Sequence, residues 1–163
     1  MKNLKNNKGN SFIIKPLIFV STFLLFTFFL DFTFYGAQYL SVNWLATNLA
    51  HKIALQGGLI GTGASHKDAS IYVSRVSNME IIQEADKLLS KFGVAPNQWK
   101  LTVNGADVYD KGEPNYALVN TIPYGRTVEV KLKSVYNWRF CGKLFFFTKS
   151  FVPSRGTAMS ELF

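Results

Sequence analysis

Residues 12–30, FIIKPLIFVSTFLLFTFFL, contain one charge, Lys15, and are followed by Asp31 and the rings of Phe32, Phe34, Tyr35 and Tyr39. A run this apolar has few fates. A helix that crosses a bilayer needs about 20 residues. The uncharged part, 16–30, falls short, but including 12–14 and letting Lys15 extend back to the headgroups gives a sufficient span. The sequence therefore predicts a transmembrane anchor helix over 12–35, preceded by a basic leader over 1–11. Everything after it is delivered to one side of a membrane.

The charge distribution sets the side. Lys2, Lys5, Lys8 and Lys15 come before any acid, and the rest of the chain carries 14 basic and 10 acidic residues. By the positive-inside rule the N-terminus is cytoplasmic and the C-terminal domain extracytoplasmic. The formal charge of +8 thus reads as topology plus an ordinary surface. No basic run with interleaved aromatics lies beyond the anchor, so a nucleic-acid partner is not expected. A cleaved signal peptide wants small residues one and three positions before the cut. Ala37 has Tyr35, and Ala50 has Asn48, at that third position, so a retained anchor is expected. The single cysteine, Cys141, cannot form an internal disulfide and reads as a small buried apolar residue.

Beyond the anchor the helical pattern continues. Val42, Leu45, Leu49 and Ile53 recur at three- and four-residue spacing, with Asn43, Thr47, His51 and Lys52 elsewhere on the wheel. This is an amphipathic continuation over 36–56 that offers a packing stripe. Gly36 is its weak point, and Gly57 and Gly58 stop it. Residues 57–70 read as a glycine-rich flexible loop, a hinge between anchor and domain, and 71–163 as the exported domain. Within that domain 71–76 is a possible short strand. Ser77 and Glu80 form a capping-box pair ahead of a helix that buries Ile81, Ile82, Ala85, Leu88, Leu89 and Phe92 and stops at Gly93. Then the period falls to two. Trp99, Leu101 and Val103 alternate with polar residues up to an Asn104-Gly105 turn. Residues 107–125 read as turns, 128–133 as the clearest strand, and 144–152 as a strand covered on both faces. The tail 154–163 reads as polar until Leu162 and Phe163. The expected fold class is α+β: a long N-terminal transmembrane helix, a second amphipathic helix and a small antiparallel β-sheet.

Chemistry finds little support. The glycines of 57–63 follow a helix, lack a Lys-Ser/Thr, and do not have dinucleotide-loop spacing. Ser65, His66 and Asp68 are sequence neighbours on a glycine loop, whereas triads are assembled from separated elements. Two histidines and one cysteine give no metal-ligand spacing. Asp107 and Asp110 lie in a turn-rich stretch, where turn chemistry explains them. The sequence offers no active site, and no cofactor, metal or small-molecule substrate is expected. Of fifteen Phe, seven belong to residues 19–34 and read as lipid-facing. Ser21, Thr22 and Thr27 mark places where another helix could approach closely.

Three stretches resemble the TadE-like minor pilins, or pseudopilins, and related small single-pass proteins of secretion or conjugation clusters. They are NNKGNSFII (6–14), with Gly9 directly before the apolar helix; NLAHKIALQGG (48–58), where the helix continues past the membrane; and SRGTAMSELF (154–163). The resemblance implies a non-enzymatic component of a surface pilus, secretion or conjugation apparatus. It also implies partner subunits that meet this chain through the N-terminal helix, and a processing site between Gly9 and Asn10. The chain departs from that pattern at the fifth position after the glycine. Pilin-like subunits generally carry Glu there, and this chain has Ile14, then Lys15. A lysine beside a neighbour's N-terminal amine would repel it. A minor subunit that does not polymerise by itself is therefore expected. The competing expectation is a membrane-tethered module that binds a peptide, an envelope polymer or a partner protein and keeps its activity without the anchor.

Overall fold

The computed structural model describes residues 8–61, 76–140, 142 and 148–161, apart from the side chains of 8–13. Lys2, Lys5, Ser65, His66, Asp68, Cys141, Leu162, Phe163 and the strand expected before Val76 lie outside the described residues.

A single helix, α1 (Lys8–Leu55), occupies nearly a third of the chain and is about 72 Å long at 1.5 Å per residue. It runs through Gly36 without a break, because nothing but helix surrounds that position and glycine only weakens it. The helix starts at Lys8, ahead of the expected Phe12, so Pro16 lies in its interior. The i→i−4 bond missing there is a loss that membrane helices tolerate. Gly57, at φ +73°, ends it.

The second helix, α2 (Asn78–Lys91), forms as its capping box dictates. The Ser77 hydroxyl accepts from the Glu80 N–H, and the Glu80 carboxylate accepts from the Ser77 N–H at 2.9 Å. Ile81, Ile82, Ala85 and Leu89 are buried, and Gly93 takes φ +75° after the last turn.

The strands are β1 (Gly58–Leu59), β2 (Trp99–Val103), β3 (Ala106–Asp110), β4 (Glu113–Pro114), β5 (Asn120–Thr121), β6 (Thr127–Asn137) and β7 (Lys149–Met159). Five form one antiparallel sheet in the order β4-β3-β2-β6-β7, while β1 and β5 pair separately. The fold class is thus α+β, with a long apolar N-terminal helix packed on an antiparallel sheet. Trp99, Leu101, Val103, Val128, Val130 and Leu132 point inward and are buried against α1 and α2. Each Leu or Val so buried stabilises by about 2 kcal/mol relative to exposure.

Several expectations are corrected. Residues 107–125 are not all turn. Asn104-Gly105 and Lys111-Gly112 all have positive φ, so two tight hairpins frame β3. β3 carries a bulge: Leu101 pairs with Tyr109 but Thr102 with Asp107, leaving Val108 extra. Val108 and Tyr109 are consequently both buried, and the alternation that identifies a strand is lost. The stretch expected as a polar tail is half of β7, whose inward residues are the small Val152, Ser154 and Gly156. Of the strand expected over 144–152, residues 144–147 lie outside the described residues, and the part within β7 is not covered on both faces, since Phe151 is 78% exposed. Pro153 fits because β7 is an edge strand, where a missing N–H is tolerated. Finally, Gly57, Gly58, Leu59 and Gly61 are buried in the domain and are no hinge. A Cβ on Gly58 would lie 1.9 Å from the Asn120 carbonyl oxygen, so this glycine is present for close backbone approach.

Candidate functional site: the projecting half of the first helix

α1 divides near Thr27. Leu17, Phe19, Val20, Phe23, Leu25 and Phe26 are each more than half exposed. They belong to the one helix, among the described residues, that is long and apolar enough to cross a membrane. Lys15 is exposed among them. Lys8 opens the helix, and Gly9 and Asn10 fall in its first turn. From Thr27 onward one stripe is buried: Thr27, Asp31, Gln38, Val42, Leu45, Leu49 and Ile53. The packing stripe read from the sequence is the upper part of this line, laid across β6 and β7.

The side of α1 that faces β7 is lined by Ala46, Ala50 and Ala54, all buried. Small residues let the strand approach. The Ser154 hydroxyl donates to the Val42 carbonyl (3.3 Å), Gly156 sits against Ala46, and the Glu161 N–H donates to the Ala54 carbonyl (3.2 Å). Nothing in the sequence distinguishes Gly156 from an ordinary loop glycine. Its reason is the helix surface it touches.

The end of the sheet nearer the exposed apolar half of α1 is fastened by Asp31. This carboxylate is fully buried and accepts from the Arg139 N–H (3.1 Å) and the Phe140 N–H (3.0 Å), while the Tyr136 hydroxyl reaches its backbone carbonyl at 3.0 Å. Charge-assisted bonds to backbone N–H groups are among the stronger ones in proteins. Tyr35, Tyr136 and Trp138 pack around the junction, edge-on and stacked, with centroids 5.3–6.0 Å apart. The Arg139 guanidinium lies 5.4 Å from the centre of the Phe34 ring and donates to the Phe92 carbonyl. One level up, the Gln38 amide donates to the Ser134 hydroxyl (3.1 Å) and the Val135 carbonyl (3.3 Å). Asp31 and Gln38 escape a sequence reading that looks for apolar residues alone. The signal was present, because their seven-residue spacing extends the 42-45-49-53 line toward the exposed apolar half of α1.

Elsewhere the described residues hold no group of three His, Cys, Asp or Glu fit for a metal. Asp107 and Asp110, expected in a turn, lie in β3 and both accept from the Lys100 ammonium, at 2.8 and 2.9 Å. The bonds to Asp107 and Asp110 hold Lys100 above its ordinary value. A raised lysine contributes stability that is complete below pH 10.5 and lost as the pH climbs through the folded value. These groups are well solvated. Lys100→Met is therefore expected to change stability little, with any difference shrinking in high salt, as read by urea denaturation at neutral pH.

No family model, curated protein or solved structure matches this chain.

Proposed function

We propose that this protein is a non-enzymatic, single-pass membrane component of a bacterial pilus, secretion or conjugation apparatus, built like a minor pilin. On this reading the N-terminus is cytoplasmic and the sheet domain extracytoplasmic. One observation carries it: a single continuous helix is bare and apolar at one end and forms the spine of an α+β domain at the other. In such a build the bare half can meet lipid and the helices of other subunits while the domain stays outside. Lys15, exposed at the start of the apolar run, argues for a minor role, since a cation buried in a fibre core needs a carboxylate partner. Any processing is expected after Gly9, which intact mass of the native protein reads out.

The competing reading, a tethered binding module, is favoured by Phe151 standing exposed on the outer face of the sheet. Photo-crosslinking in native membranes separates the two. Probes at Leu17 and Phe19 are expected to capture the apolar helices of other single-pass subunits. Capture from position 151 alone, undiminished when residues 1–25 are removed, would establish the binding module. The truncation must stop there, because removal to residue 40 would delete Asp31 and Gln38 from the core. Protease added to protoplasts should degrade the sheet domain, and full protection would reverse the orientation.

A further inference from the structure

We infer that the membrane-side end of the sheet domain, and not the helix alone, is seated in the lipid headgroup region, with the bilayer surface near Tyr39 and Trp44. The inference rests on the membrane-spanning reading of α1 and adds to it where the lipid stops. The run from Pro16 to Leu30 holds 15 residues, or about 22 Å of helix, against a hydrocarbon core of about 30 Å. Its upper limit in the sequence is Asp31. In the structure the Asp31 carboxylate is turned into the protein and away from lipid: it is wholly buried, with its oxygens bound by the Arg139 and Phe140 N–H groups. Above it α1 carries no Asp, Glu, Lys, Arg or His until His51, and large apolar side chains stay exposed along it: Phe32, Leu40 and Trp44 are 59%, 68% and 60% exposed. Counting to Leu40 adds ten residues, about 15 Å, which supplies the missing span and the interfacial layer beyond it.

Tyr39 and Trp44 are the amphipathic rings that favour a lipid–water boundary. If the boundary lies at their level, whatever sits beside Asp31 lies below it. That is the end of β6. Phe140 is exposed there, and Arg139, exposed beside the Phe34 ring, is placed to meet lipid phosphate.

The test uses the full chain with Cys141 replaced by serine, in nanodiscs of phosphatidylcholine and phosphatidylglycerol. Spin labels are placed singly at Leu25, Leu40, Asn104 and Phe140. Collision with oxygen should exceed collision with a water-soluble nickel complex at 25, 40 and 140, and the order should reverse at 104. Labels at 40 and 140 that behave like the one at 104, with 25 still in lipid, would overturn this inference and leave the membrane reading intact. Water exposure at 25 would remove both. Labels at 40 and 140 shielded from both reagents would mean that protein covers this face, and would also overturn it. The unaltered chain gives an independent check. Brominated lipid should quench Trp44 and Trp138 but spare Trp99, which is 2% exposed. Absence of quenching in well-inserted protein counts against the inference.

Discussion

Gly156→Ala is expected to destabilise the domain by about 3 kcal/mol, and Gly156→Val to prevent its folding. The added Cβ would stand 2.1 Å from the Ala46 carbonyl oxygen and 2.6 Å from the Thr47 nitrogen. Both are backbone atoms of a helix, so no side chain can swing aside. Relief requires α1 to lift from β7, which would open the line of contacts from Ser154–Val42 to Glu161–Ala54. The backbone at Gly156 is not left-handed, so the penalty measures proximity and not conformation. Gly36 provides the control. Its Cβ direction is empty and it lies inside the same helix, so Gly36→Ala should be neutral or stabilising by up to about 1 kcal/mol. Thermal unfolding of detergent-solubilised protein measures both. Equal melting of Gly156→Ala and the parent would show that the helix does not lie on β7 as described.

How far the sequence reveals this fold follows from the kind of signal each element leaves. Helix α2 is legible to its caps, because Ser77, Glu80 and Gly93 each act on their own neighbours. So is the inward face of β2, where Trp99, Leu101 and Val103 keep strict alternation. Strand β3 is hidden because its bulge sets Val108 and Tyr109 side by side in the core. Tyr109 is held there by stacking on Trp99 at 3.7 Å between centroids. Strand β7 is hidden for a different reason. Its buried side must be narrow where the alanines of α1 press against it, so Ser154 and Gly156 take places where a strand usually shows Val or Ile. The glycines at 57–61 read as a loop because tight backbone packing and flexibility select the same residue. In the candidate site the apolar half of α1 is evident from composition alone. Its division near Thr27 is not, because Asp31 and Gln38 are polar and the partners that satisfy them lie more than ninety residues away, so that their spacing alone points to their burial.

Removal of the Asp31 carboxylate should have a comparable effect at the other end of the contact. Asp31→Ala strips the acceptors from the Arg139 and Phe140 N–H groups together and leaves both donors facing a cavity. Loss of the charge-assisted bonds from these N–H groups and from the Tyr136 hydroxyl corresponds to about 3–5 kcal/mol. Asp31→Asn is the sharper probe. The amide keeps one acceptor oxygen but must turn its NH2 toward one of two N–H donors. It should therefore fall between Asp and Ala, at about 2 kcal/mol. Tyr136→Phe removes the bond to the Asp31 carbonyl while keeping the ring against Tyr35 and Trp138, and should cost about 1 kcal/mol. Hydrogen exchange locates the damage. The Arg139 and Phe140 amides should lose protection in Asp31→Ala before those of Leu101 and Val130 do, because the sheet would come free from the end nearer the apolar half of α1 while Gly156 still holds the far half of β7 to the helix. Simultaneous loss of protection across the sheet would mean that Asp31 supports the whole domain. Unchanged protection at Arg139 and Phe140 would show that the carboxylate does not fasten that end at all.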